Sequence, residues 1–495
     1  MEATANPGDL PYRIITNPQT GKQYRVGEDP KQLIGYGRWV PILAAWAAMF
    51  MAGILEYTWG ALSGSLQAQH HWSLTAVFWL FSVYVVFESV CSHPVTGFLR
   101  DHGLLKVRYA VAIGAVLCGV VAYGLTATAS SLWQAYLGYA IFGGIGSGMI
   151  YSSCINMTGK WYPDKQGWRN GFVDGGWAYG AVPWIIAIGG IAGDTGGANL
   201  KGFLTTFIWI QGICLTGITL VAAFFMKDPP KNWWPAHVDP LNWTKYKKGA
   251  VHDLHANPPA LKQYSTREMW RTPQPKWLGT QFALYVGASL FGVSYLFPFG
   301  EAMHVGIWAA AGGFAGFSLA DGIFRPLYGY VSQWIGRRHT MTYAYLLDVI
   351  FVMLTLLAGE NHIPWLFAVF SVITGGLSGA NFPMTATIIT DYYGSNNNAI
   401  NYATIYSFKA IGGSFAGGLA ALVMTGGVVI AGTVDWVGGF IFGAGLGLLA
   451  VFVVYFLCKP PTLEQMRKAE AGAAAAAARR AARRAARRGG QPAVT

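Results

Sequence analysis

The sequence predicts an all-α polytopic membrane protein with twelve transmembrane helices in two pseudo-symmetric six-helix halves and both termini in the cytoplasm. Three observations predict it. Apolar residues make up 53% of the 495 and charged residues only 11%, against roughly a quarter charged in a soluble globular chain. Apolar stretches long enough to cross a bilayer recur along the whole chain. Basic residues collect in alternate connections between those stretches.

A spanning helix needs about 20 mostly apolar residues, because about 30 Å of hydrocarbon is crossed at about 1.5 Å per residue. The first six stretches are Trp39–Ser65, Leu74–Leu99, Tyr109–Thr128, Trp133–Met157, Gly171–Ala192 and Phe203–Met226. The second six are Trp277–Phe297, Val305–Trp334, Met341–Leu357, Pro364–Thr390, Ala399–Gly426 and Val434–Leu457. The abundance of glycine, 64 residues, suits closely packed membrane helices.

Of the 34 Lys and Arg residues, five precede the first stretch. The connections after stretches 2, 4, 6 and 8 hold three, three, nine and two, and the C-terminal tail holds nine. Lys201 stands on the opposite side, and Arg325 and Lys409 lie inside helices. Cytoplasmic loops are enriched in Lys and Arg. The expected division is therefore a cytoplasmic N-tail (1–38), an N-terminal six-helix half (39–226), a cytoplasmic linker (227–276), a C-terminal half (277–457) and a basic cytoplasmic C-tail (458–495). The formal charge of +12 follows this topology and does not point to nucleic acid. The expected location is the cell membrane, plasma or inner, as a multi-pass protein. The arginine pairs of the C-tail, from Arg479-Arg480 to Arg487-Arg488, form one basic face at helical spacing, suited to anionic lipid or simply to water.

Other classes are excluded by what the chain lacks. The polar N-terminus has no charged n-region and apolar h-region of a signal peptide, so insertion falls to the first spanning helix. The five cysteines form no CxxC pair and no His/Cys cluster, so no disulfide framework, metal site or cofactor is expected. His70-His71 has no carboxylate or cysteine at ligand spacing, and no nucleophile–base pair appears, which argues against an enzyme. The glycines of stretch 4, Gly143, Gly144, Gly146 and Gly148, allow close helix approach and are not a phosphate loop.

Ionisable groups inside a membrane cost several kcal/mol and mark pathways. Arg325 in stretch 8 and Lys409 in stretch 11 offer a planar fork and a point charge for an anion; each is alternatively a member of an internal ion pair. Asp321 lies one helical turn before Arg325 and either neutralises it or takes up a proton. Glu56 lies in stretch 1 beside Tyr57, and Glu88, Asp174 and Asp348 lie in stretches 2, 5 and 9. Asp348 reads as structural. Counting Arg325 and Lys409 against Glu56 and Asp321 gives a neutral site that becomes positive when an acid is protonated. His93 is either a satisfied interior histidine or a cavity-lining one.

The two halves share a local signature. His93-Pro94-Val95-Thr96-Gly97-Phe98 matches Arg325-Pro326-Leu327-Tyr328-Gly329-Tyr330, and each leads into a basic loop that contains glycine. This pattern resembles the major facilitator superfamily, in which a mid-membrane site lies between halves that rock to alternate access. The loop motif departs from the usual pattern at Gln333, where an acid is normal.

The segment from Asp321 through Arg325-Pro326 to Gly329, with Tyr406-Ser407-Phe408-Lys409, resembles the oxalate/formate antiporter family, which is related to the monocarboxylate transporters. The resemblance covers about Trp39 to Leu457. It implies that Arg325 and Lys409 grip the substrate carboxylate, and that Tyr57, Tyr151, Trp177 and Tyr406 are aromatic cavity walls. Three positions depart from that family. Glu56 and Phe78 stand where glutamines are expected, and Phe382 stands where a tyrosine is. The implied function is exchange of small organic anions, with oxalate and formate the prototypes. The Asp321–Arg325 pair is similar to that of proton-coupled monocarboxylate transporters, so symport of a lactate- or pyruvate-like anion with protons is the alternative.

Overall fold

The computed structural model describes residues 12–16, 18, 23–164, 166–192, 203–241, 257, 260, 263–394, 397–426 and 434–462 and parts of 464–479, apart from the side chains of 91–93, 101, 166–167, 192 and 399. Lys201 and the C-tail arginine pairs, Arg479 excepted, lie outside the described residues.

The chain is predominantly helical. In order, the long helical segments are α1 (Trp39–Tyr57), α2 (Leu74–Arg100), α3 (Val107–Ala127), α4 (132–161), α5 (166–192), α6 (Leu204–Phe225), α7 (Gln274–Ala302), α8 (Ile307–Ile335), α9 (Arg337–Glu360), α10 (Pro364–Tyr393), α11 (Ile400–Met424) and α12 (Trp436–Leu457). Ten of these, all but α4 and α5, are long and apolar enough to cross a membrane. In α4, glycine, serine and asparagine dilute the apolar content, and α5 is interrupted at 180–181 into helices Gln166–Tyr179 and Val182–Ala192.

Helix ends follow local chemistry. Ser73 caps α2, its hydroxyl accepting from the Ala76 amide at 3.2 Å, and Asp435 caps α12 through the Gly438 amide at 2.8 Å; both satisfy amides that have no partner within the first turn. Pro275 and Pro364 occupy first-turn positions, where proline loses no helical hydrogen bond. α8 starts after Gly306 (φ 84°) and stops at Gly336 (φ 88°), a left-handed conformation that only glycine adopts without steric cost.

Three helices are irregular where their ionisable residues sit. α1 is interrupted at Gly53 and Thr58, on either side of Glu56 and Tyr57, and runs on as Trp59–His70. α2 widens into a π-helical turn over Phe87–Ser92, which carries Glu88. α11 breaks at 407–408, directly before Lys409. Irregular backbone inside a membrane persists where protein surrounds it or it lines a cavity, and discontinuous helices mark transporter binding sites.

The first six helices meet the last six along α5–α8, α2–α11 and α1–α7. The α5–α8 contact is backbone on backbone. A Cβ at Gly322 would lie 2.5 Å from the Gly175 carbonyl oxygen and 2.3 Å from the Tyr179 ring, and one at Gly175 would lie 2.6 Å from the Gly322 oxygen. Between α2 and α11, the Ser82 hydroxyl donates to the Gly413 oxygen at 3.0 Å and accepts from the Gly418 amide at 2.9 Å.

The N-terminal segment is more than a tail. β1 (Arg13–Thr16) pairs antiparallel with β2 (Gln23–Val26), and β2 pairs parallel with β3 (Trp233–Trp234), at the start of the expected linker. Trp233 donates its indole N–H to the main-chain oxygen of Glu28 at 3.0 Å, and Arg100 at the end of α2 donates from Nη2 to both carboxylate oxygens of Asp228, at 2.8 and 3.0 Å. This end of the first six helices is thus closed by segments from both sides of it in sequence.

Gly322→Val tests the α5–α8 approach. Overpacking costs ~1–3 kcal/mol, so the unfolding midpoint of the purified protein should fall by several degrees. A midpoint equal to that of the unmodified chain contradicts this packing.

Candidate functional site

Arg325 and Asp321 are one turn apart on α8, so their side chains share a face. The Arg325 Nε donates to Asp321 Oδ1 at 3.1 Å and Nη2 to Oδ2 at 3.2 Å. The free edge of the guanidinium meets Asp174 of α5, Nη1 lying 2.7 Å from Oδ2. Nη2 also donates to the Tyr57 hydroxyl at 3.1 Å, and that hydroxyl donates to Asp321. Arg325, Asp321 and Tyr57 are each only 1% exposed.

Lys409 opens the second segment of α11. Its Nζ lies 2.8 Å from Glu56 Oε2 and 3.3 Å from Glu88 Oε2. The Tyr406 hydroxyl, one turn earlier, accepts from Lys409 at 3.4 Å and donates to Glu88 Oε1 at 2.8 Å. All three charged groups are fully buried.

The two centres are continuous. Glu56 and Tyr57, neighbours in α1, serve Lys409 and Arg325 respectively. The Phe382 ring of α10 lies between the cations, with its centre 5.0 Å from the Arg325 Cζ and 5.8 Å from the Lys409 Nζ. Trp177 presents its ring 5.8 Å from Lys409. Tyr151 sits edge-on to Trp177 at 5.1 Å and against Tyr406 at 5.3 Å. The structure therefore brings together Arg325, Lys409, Tyr57, Tyr151, Trp177, Tyr406, Glu56, Asp321 and Phe382. Phe78 belongs to a different contact, its ring 4.1 Å from that of Tyr295 on α7. The His93 side chain lies outside the described residues. Asp348 sits in a separate network, accepting from the Tyr285 hydroxyl at 2.8 Å.

Two partners were named in the sequence without a place in the charge count. Asp174 and Glu88 pair with Arg325 and Lys409 as directly as Asp321 and Glu56 do. The expected neutral balance is therefore corrected: two cations face four carboxylates. Full ionisation would leave two excess negative charges in a low-dielectric interior. The signal in the sequence was the intramembrane acid itself; its partner was not legible. Phe282 was not singled out either, yet its ring lies 5.9 Å from Tyr406 and 5.6 Å from Phe382. Among the described residues no group of three His, Cys, Asp or Glu side chains could hold a metal ion.

The Major Facilitator Superfamily model matches residues 43–317 and 308–490. The chain belongs to the Major Facilitator Superfamily. As a member of that superfamily it is a multi-pass membrane transporter and not an enzyme. It is similar to the oxalate:formate antiporter of Oxalobacter formigenes, 25% identical over 413 residues, covering 83% of this chain and 89% of that protein. It is also similar to the uncharacterized MFS-type transporter YhjX of Escherichia coli, 24% identical over 376 residues, 76% of this chain and 85% of that one. In fold it matches the xylose transporter XylE of E. coli with a TM-score of 0.61 at 12% identity, covering 86% of this chain and 99% of that one. The nucleoside transporter NupG gives 0.59 at 11%, covering 85% and 100%.

The double pairing of Lys409 makes a stability prediction. Glu56→Gln or Glu88→Gln alone leaves it one carboxylate. The double variant leaves it none, and an orphaned buried charge costs about 3–5 kcal/mol. Thermal unfolding in detergent should show the double variant losing more than the sum of the singles. Simple additivity would contradict the shared pairing.

Proposed function

We propose that this transporter carries small organic carboxylates by alternating access. The observation that carries the reading is the pair of buried cations, Arg325 within α8 and Lys409 directly after the break in α11, both lying against one phenyl ring. A guanidinium fork and an ammonium are complementary to carboxylate oxygens. The aromatic side chains of Tyr57, Tyr151, Trp177, Tyr406 and Phe382 would enclose the carbon skeleton and keep water out. In this reading the two six-helix halves are 39–226 and 277–457, joined by the linker 227–276. α4 and α5 complete twelve crossings. The N-tail, linker and C-tail face the cytoplasm, where the arginine-rich tail meets anionic lipid or solvent. Phe78 and His93 remain candidates for the cavity wall on the side of α2.

The mode of transport has two readings. Exchange of carboxylates of the oxalate and formate type is supported by the similarity to the Oxalobacter antiporter. Proton-coupled symport of a monocarboxylate is supported by the carboxylate excess around the cations. A bound monocarboxylate adds one negative charge to a cluster already rich in it, and uptake of one proton by an acid such as Glu56 or Asp321 offsets that added charge.

Arg325→Ala and Lys409→Ala should each reduce carboxylate uptake into proteoliposomes by at least about 30-fold, since losing one partner of a buried charge pair costs 2–5 kcal/mol, while membrane insertion persists. Normal uptake by either variant would remove the site assignment. If protons are coupled, an inward pH gradient should drive uptake into vesicles containing no carboxylate, and Glu56→Gln should flatten the pH profile. A profile identical to that of the unmodified protein would count against a proton role for Glu56.

A further inference from the structure

We infer that Glu56, Glu88 and Asp174 act as built-in stand-ins for a cargo carboxylate, so that the carrier closes and reorients without cargo and sustains net transport as well as exchange. This rests on the carboxylate reading of the same site.

The inference comes from which helices supply the charges. Both cations are on the last six helices, Arg325 on α8 and Lys409 on α11. Asp321 is on α8 as well and travels with Arg325 in every conformation. The other three carboxylates come from the first six helices: Glu56 from α1, Glu88 from α2 and Asp174 from α5. Lys409–Glu56 at 2.8 Å, Lys409–Glu88 at 3.3 Å and Arg325–Asp174 at 2.7 Å are therefore bridges between the two groups of helices. A cargo carboxylate seated between the groups would make bonds of the same kind to the same cations.

Charge burial makes the bridges consequential. A carrier whose central cations have no internal partner buries uncompensated charge whenever it closes, at a cost of several kcal/mol. Only cargo relieves that cost, so such a carrier can return only when loaded, which is obligatory exchange. Here the chain supplies the anions itself. Lys409 is the decisive case, because it has no carboxylate partner on its own helix among the described residues and depends on α1 and α2 for both.

Two of the three stand-ins are also held less tightly than Asp321. Asp321 accepts on both oxygens. By contrast, Glu88 accepts from the Tyr406 hydroxyl on Oε1 and meets the Lys409 ammonium at 3.3 Å on Oε2, and Asp174 meets Arg325 through Oδ2 alone. Glu88 and Asp174 are thus held by fewer bonds than Asp321 and are the acids that an incoming carboxylate displaces at least cost.

The test compares two fluxes in proteoliposomes of the full chain loaded with radiolabelled oxalate or radiolabelled lactate. Exchange is efflux into buffer containing the unlabelled anion, and net flux is efflux into carboxylate-free buffer. The unmodified protein should show both. Glu56→Gln/Glu88→Gln leaves cargo as the only anion for Lys409, and the ratio of net to exchange flux should fall at least tenfold. Glu56→Asp/Glu88→Asp, which keeps both charges, should retain most of the ratio. If the Gln/Gln variant is too unstable to purify alone, oxalate or lactate present throughout should raise its unfolding midpoint more than that of the unmodified protein. Strict exchange by the unmodified protein overturns the inference, as does an unchanged ratio in the Gln/Gln variant or the absence of rescue by either anion. No flux of either anion in either mode overturns the carboxylate reading itself, and this inference with it.

Discussion

Two positive side chains buried inside a membrane transporter must be neutralised by something, and the remaining architecture follows from how that is done. Arg325 and Lys409 are each matched by carboxylates within 3.3 Å. Three of those four carboxylates reach them from the other group of six helices. The ion pairs that make burial tolerable therefore also hold the two groups together at their centre. Breaking them requires an alternative anion, a proton or water, and each of these is a step that a transport cycle can provide.

The backbone is built around this demand. Glu56 and Lys409 lie at interruptions of α1 and α11, and Glu88 lies in a π-helical turn of α2. A regular helix fixes side-chain direction by its 3.6-residue period, whereas an interruption lets one residue turn toward a distant partner. Close approach elsewhere keeps these breaks surrounded by protein. The Gly175–Gly322 contact lets α5 touch α8 beside the Arg325–Asp174 pair, and the Ser82 bonds hold α2 on α11 on the far side of Lys409.

Much of this was legible in the sequence because membranes impose strong one-dimensional constraints. Length and apolarity mark α1 or α12 directly, and Arg325 and Lys409 are conspicuous as cations inside such stretches. α4 is weaker, because a buried helix that packs on neighbours needs small residues and tolerates polar ones, which lowers the very apolarity used to find it. The convergence of Tyr57, Tyr151, Trp177 and Tyr406 came from family resemblance and not from spacing. The pairing itself was hidden. Glu56 and Lys409 stand 353 residues apart, and no local pattern says which acid answers which cation; Glu88 and Asp174 were visible as buried acids but not as partners. The N-terminal hairpin was missed for a related reason. Strands of four residues in a polar segment carry no alternation strong enough to read, and their third strand is two residues some two hundred positions away.

The central claim is that the cations exchange internal carboxylates for those of the cargo. The most direct test is an experimental density map of the transporter saturated with oxalate. The account predicts oxalate oxygens within hydrogen-bond distance of the Arg325 guanidinium and the Lys409 ammonium, with Glu88 and Asp174 drawn back from both. Oxalate bound at another location, with all four ion pairs intact, would contradict it.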